Sequence, residues 1–383
     1  MANTRNRLFL RSRKVALLGA GFVLAAVLSS SAGAAGPSFM PAPGSPFAVG
    51  TNPHSIAVAD LNQDRKADLA VANYGSNSVS ILLGNGAGGY TAAAPVSVGS
   101  GPLSVAAGDF NRDRKPDLAV ANAESDTVSI LLGDGAGNFI PAASVTAGDG
   151  PWFIKVADLN RDRKADLAIA NVYSDDVSIL LGDGAGGFGA ATSLAVGDVP
   201  YGVGVEDLNR DHAPDLVVAN QFAATVSILL GDGAGGFSPA AGSPVAAGSG
   251  PSWVAAADLN GDRKADLAVA NQSADTVSIL LGDGAGGFAT GPSVPAGNGP
   301  TPLVAQDLNH DGALDLAVGN ILSNDVSILL GDGTGGFSAA GSPLPVGDFP
   351  FSLAVADLNR DHKPDLAVPA YGSNNVTVLL NGG

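Results

Sequence analysis

One ten-residue phrase, Asp-Leu-Asn-x-Asp-x-x-x-Asp-Leu, recurs seven times in this chain, and it restricts the possible folds more than any other feature. Its first Asp falls at Asp60, Asp109, Asp158, Asp207, Asp258, Asp307 and Asp357, and the second residue is Leu in every copy but one, where it is Phe110. The intervals are 49, 49, 49, 51, 49 and 50 residues. A chain written as seven near-copies of one unit folds as repeats of one substructure, each burying its apolar face on its neighbours.

Each unit holds four strand-like runs, which in the first are Ser55–Ala59, Leu69–Asn73, Val79–Leu83 and Val96–Gly99. β-Branched and apolar residues fill them, and Gly, Pro, Asn and Asp separate them. With 53 Gly and no run of helical period, the composition favours short strands joined by tight turns. Four short strands in about 50 residues is the pattern of a propeller blade; solenoid coils are much shorter. The expectation is an all-β, seven-bladed β-propeller of four-stranded blades over residues 45–383.

The two ends of the chain complement each other. The last repeat stops at Val376–Leu380 without a fourth strand. Ahead of the first repeat stands Ser45-Pro46-Phe47-Ala48-Val49-Gly50, which matches fourth-strand segments such as Gly242-Ser243-Pro244-Val245-Ala246. An N-terminal strand completing the last blade would close the ring and remove its exposed edges. On these repeats the chain resembles the FG-GAP/VCBS repeat family, related to the propeller of integrin α subunits. That resemblance implies strands running outward from a central channel, with the acidic phrase joining strands one and two on one face.

The acidic phrase sets oxygen-bearing side chains at positions 1, 3, 5 and 9. These are Asp60, Asn62, Asp64 and Asp68 in the first loop, then Asp109, Asn111, Asp113 and Asp117, and Asp158, Asn160, Asp162 and Asp166. The fourth and fifth loops carry Asp207, Asn209, Asp211 and Asp215, and Asp258, Asn260, Asp262 and Asp266. The last two carry Asp307, Asn309, Asp311 and Asp315, and Asp357, Asn359, Asp361 and Asp365. A hard cation wants such oxygens, and the resemblance assigns Ca²⁺ to this loop type. Position 6, where the turn wants positive φ, is Arg65, Arg114, Arg163, His212, Arg263, Gly312 and His362, and Lys66, Lys115, Lys164, Lys264 and Lys363 follow it. In some blades these cations are the alternative counter-charge, so calcium is not expected at every blade. The loop Asp307–Asp315, with Gly312 and neither Lys nor Arg, is expected to bind most tightly.

Aromatics that break the repeat gather in two connections. Trp152, Phe153, Tyr201, Trp253, Phe349 and Phe351 lie where strand four leads into the next strand one, and Tyr74, Tyr173, Phe222 and Tyr371 lie between strands two and three. Up-and-down topology puts both connections on the face opposite the acidic loops. A ligand-binding face for a protein or glycan is one reading, with Trp152, Tyr201, Trp253, Phe351, Tyr74, Tyr173, Phe222 and Tyr371 as its residues. A plug in the channel mouth is the other.

The first 35 residues read as a secretory signal peptide. Arg5, Arg7, Arg11, Arg13 and Lys14 precede the apolar run from Val15 to Leu28, and Ala32-Gly33-Ala34 offers small residues for cleavage. An uncleaved anchor is the alternative. Residues 36–44 read as a short Pro/Gly-rich tail. Cleavage would move the formal charge from −17 to −22 by removing those five cations. So acidic a surface argues against nucleic acid and anionic lipid as partners. A monomer is expected: exported, and not inserted in a membrane once the signal is removed. After residue 35 there are two Glu and four His, and three of those His sit in the acidic loops. His54 reads as a polar edge residue. No catalytic constellation stands out, so an adhesion or recognition module is expected rather than an enzyme. A silent scaffold, or a propeller hydrolase with an unrecognised site, is the alternative, with Asp149 and Asp198 as its nearest candidates.

Overall fold

The computed structural model describes residues 36–383, and the leader reading for residues 1–35 lies outside them. The described chain forms seven antiparallel sheets. In blade one, Pro53–Ala59 pairs with Asp68–Asn73, and that strand pairs with Ser78–Gly84. The outer edge comes in two pieces, Tyr90–Ala92 and Val96–Ser97, both paired to the third strand. The expected fourth strand at 96–99 is therefore only its second half. The aromatic that ends the glycine turn begins the edge, and the chain breaks between the two pieces. In blade five the edge is a single strand, Phe288–Pro295.

First strands of successive blades lie side by side around an axis, including those of blades seven and one. Second strands such as Asp68–Asn73 and Asp166–Asn171 are buried along their whole length. This explains why they read as continuous apolar runs rather than alternating ones: neighbouring blades cover both faces. A separate apolar cluster fills every seam. Ala70, Ile81, Leu118 and Val120 join blades one and two. Leu69, Val71, Ala367, Val376 and Val378 join blades seven and one in the same manner. The ring is closed.

Closure uses more of the N-terminus than expected. Phe47–Ala48 pairs with the last strand, as anticipated, but Phe39–Pro41 pairs with it as well, Phe39 opposite Asn381 and Pro41 opposite Leu379. The stretch 36–44 is thus not a tail outside the fold. It supplies the first half of a two-piece edge, the device used in blade four by Phe237–Pro239 and Val245–Ala246. In both blades a Ser hydroxyl between the pieces, Ser45 or Ser243, accepts a backbone N–H from the third strand.

Candidate functional site

The acidic loops wrap their carboxylates around their own backbone. In the first, Asp60 accepts the N–H groups of Asp64 (2.9 Å) and Arg65 (2.8 Å), and Asp64 accepts that of Lys66 (3.0 Å). The turn needs left-handed backbone at position 6, as expected, with φ of 64° at Arg65 and 67° at His212. It needs it at position 4 too, at Gln63 (60°) and Arg112 (61°), which the repeat pattern does not reveal. Such conformations cost a non-glycine residue about 1–2 kcal/mol and persist here through those side-chain-to-backbone bonds.

The last Asp of each loop stands apart from the others. Asp68 is fully buried and accepts the N–H of Leu61 at 2.9 Å and of Gly84 at 2.7 Å, so it ties the loop to the end of the third strand. Asp117, Asp166, Asp215, Asp266 and Asp315 repeat this pair of bonds. Read from the sequence as a metal ligand, this residue is first a structural strut. Burial pushes its pKa up against the two N–H bonds, and at Asp365 it reaches about 6.

Counter-charge divides the loops. Lys66, Lys164 and Lys264 lie 2.8, 2.8 and 3.0 Å from Asp64, Asp162 and Asp262, and Lys115 lies 3.2 Å from Asp113. The lysine bond holds the Asp64, Asp162 and Asp262 carboxyls below the usual range. In loops four, six and seven the Asn at position 3 donates to the same oxygen instead, at 2.9, 2.9 and 3.1 Å. Lys363 turns away and donates to the Gly382 carbonyl at 2.7 Å. Among the described residues, Asp357, Asp361 and Asp365 are the carboxylates brought together with oxygens within 4.8 Å of one another. This grouping lies in loop seven, whereas loop six was the one expected from its sequence to bind calcium most tightly. Three carboxylates free of ammonium suit a hard dication. In loops one, two, three and five, a lysine would have to yield its place first.

On the opposite face the aromatics separate into two sets. Trp152 and Tyr201 have ring centres 4.4 Å apart, Phe153 meets Trp253 edge-on at 4.5 Å, and Phe351 stacks on His54 at 4.7 Å. They close the channel mouth and leave a void of about 10 Å³, about one water. His54 is no edge residue. It stands six residues before the first Asp of its repeat, the same column as Leu103, Trp152, Tyr201 and Phe351. It is buried, with Nδ1 2.7 Å from the Leu103 carbonyl oxygen. Burial lowers its pKa to about 4.

The second set points outward. Tyr173 and Phe222 are 47% and 56% exposed, as are Leu322 (56%) and Phe349 (43%) on the same face. Tyr74 and Tyr371 are half-buried between the sets, and the Tyr74 hydroxyl donates to Glu124 at 2.6 Å. Leu322 and Glu124 were not singled out from the sequence. Both occupy the column of Tyr173 and Phe222, and aligning the repeats by column would have found them.

Six overlapping matches to an FG-GAP-like repeat run from residue 60 to residue 368, at 60–120, 109–169, 158–218, 207–269, 258–318 and 307–368. The chain belongs to the FG-GAP-like repeat family. No curated protein matches this FG-GAP-repeat chain in sequence. Among solved structures, BBS1N in complex with ARL6DN has a TM-score of 0.63 at 13% identity, covering 88% of this chain and 93% of its own. A putative 6-phosphogluconolactonase from Bacteroides fragilis scores 0.61 at 18% identity, covering 79% and 86%. An inactive virginiamycin B lyase from Staphylococcus aureus scores 0.58 at 12%, covering 90% and 99%. At these identities the likeness is one of fold.

Proposed function

We propose that this FG-GAP-repeat propeller is an exported recognition module that binds a protein or glycan on the face carrying Tyr173 and Phe222. The observation that carries the reading is the pair of exposed rings on loops anchored to a rigid ring, beside a mouth already filled by Trp152, Tyr201, Trp253 and Phe351. Exposed rings on a rigid base supply contact area with little entropy to lose. A void the size of one water leaves little room for a substrate at that mouth, which favours recognition over catalysis. The BBS1N propeller, bound to ARL6DN, supports protein binding by analogy of fold.

Calcium belongs to the same proposal as a structural cofactor. Loop seven would hold it through Asp357, Asp361 and Asp365, adding positive charge beside the seam where the chain closes. The resident lysines of loops one, two, three and five would supply charge of the same sign there.

Glycan arrays and pull-downs with the exported protein test the recognition reading, with a Tyr173→Ala, Phe222→Ala double variant beside the parent. Loss of the captured ligand in the double variant is expected. Retention of every ligand by a folded double variant would sink the reading.

A further inference from the structure

The charged side chains of residues 36–383 are sorted by face. Of 14 Lys and Arg, 13 lie in the acidic loops, and the other, Lys155, lies on the axial strand Pro151–Ala157. The glycine turns share the acidic-loop side, since Gly86 packs against Lys66 and Arg360. The opposite face carries nine carboxylates, from Glu124 in blade two to Asp348 before blade seven, and among the described residues no Lys or Arg. So every exposed cation of the loops is on one side, and the face with exposed Tyr173, Phe222 and Leu322 has carboxylates alone.

Folding accounts for some of these carboxylates. Asp126, Asp175 and Asp275 accept the N–H groups of Gly150, Val199 and Gly299 at 2.9, 2.9 and 2.8 Å, fixing one loop on the next. It does not account for exposed Asp149 and Asp198, which replace Ser100 and Ser249 of other blades. Asp149 stands against Asp126, and burial and that neighbouring carboxylate push its pKa up. Uncompensated like charges raise the free energy of the unbound face and are relieved by a partner of opposite sign.

We infer that the partner at this face is a basic segment of a polypeptide, its Lys or Arg heads meeting the carboxylates around Glu124, Asp149 and Asp198. Its aliphatic stems lie along Tyr173, Phe222 and Leu322, as long cationic side chains do on apolar surface. This rests on the recognition reading above and narrows it. A neutral glycan can donate hydroxyls to these carboxylates but leaves their charge uncompensated, and anionic polymers are repelled.

The test uses the exported protein and an oligolysine peptide, with a Gly-Ser peptide of equal length as control. One variant combines Glu124→Gln, Asp149→Asn and Asp198→Asn. A second removes as much charge from the other face by Asp134→Asn, Asp183→Asn and Asp232→Asn. Blade one already has Asn85 at that turn position, where it accepts the same backbone bonds, so this variant keeps the fold. Oligolysine is expected to bind with strong salt dependence, the first variant slowing association about tenfold and the second leaving it unchanged. Equal losses in both variants, no change in either, or equal binding of the Gly-Ser peptide would overturn the inference. If the Tyr173→Ala, Phe222→Ala variant loses its captured ligand while the first charge variant keeps it, the inference fails and the recognition reading stands.

Discussion

The Asp365 carboxylate accepts the backbone N–H of Asn381 at 2.7 Å, pinning the last acidic loop to the last strand of the chain. Its other oxygen accepts the Leu358 N–H at 2.9 Å. Replacing it by Asn turns one end of a buried acceptor into a donor facing an N–H group. Asp365→Asn is expected to lower unfolding stability by about 2 kcal/mol. Asn at exposed Asp283, whose Oδ1 accepts two turn N–H bonds that Asn can keep, is expected to stay within about 0.5 kcal/mol of the parent. Urea denaturation of the two variants checks this, and equal effects would show that the strut carries nothing special.

Removing residues 36–48 should open the ring. The third strand of blade seven would keep its pairing to Asp365–Ala370 but lose its outer partners along Asn375–Asn381 and present a bare edge. The truncated protein is expected to melt well below the parent and to self-associate, as light scattering would show. An unchanged, monomeric truncation would contradict the closure described above.

His54 predicts an acid-dependent loss of stability. An unfolded His takes up a proton below about pH 6.5, while the buried ring stays neutral down to about pH 4. The unfolded state therefore holds the extra proton in that window, and stability falls as pH drops from 6.5 towards 4, by about 3 kcal/mol at the lower end. His54→Leu, which copies Leu103 of blade two, lacks this dependence. Between pH 7.5 and 4 the parent should lose that amount of stability relative to the variant. A difference constant with pH would mean that the ring takes up its proton at the same pH in the fold as in the unfolded chain.

Calcium should raise the melting temperature, since a ligand bound to the native state alone stabilises it. The tightest event by calorimetry is expected to vanish in Asp361→Asn and to survive Asp64→Asn. Lys66→Ala, which frees the Asp64 oxygen from its ammonium, should add or strengthen one binding event. A melting curve indifferent to both calcium and chelator would retire the metal proposal.

Much of the fold was legible because the repeat is local information. The spacing from Asp60 to Asp357 counts the blades, and the likeness of Ser45–Gly50 to Gly242–Ala246 names the closing strand. The contribution of Phe39–Pro41 was missed because three residues flanked by Gly and Pro carry no strand signal of their own. They pair because the edge of Asn375–Asn381 is there to receive them.

For the site, chain order fixes which face each loop emerges on and which residue types share a column. Burial within a column depends on what the neighbouring blades place beside it. Trp152 and Tyr201 turn inward onto each other, Tyr173 and Phe222 stay about half exposed, and His54 is neutral because its neighbours in space are Phe351 and Trp152. Likewise seven near-identical acidic loops differ in the partner of one carboxylate oxygen, and Lys363 donates to the Gly382 carbonyl rather than to Asp361. Periodicity is a property of the chain; desolvation and charge pairing are properties of the ring, and they arise only when the blades meet.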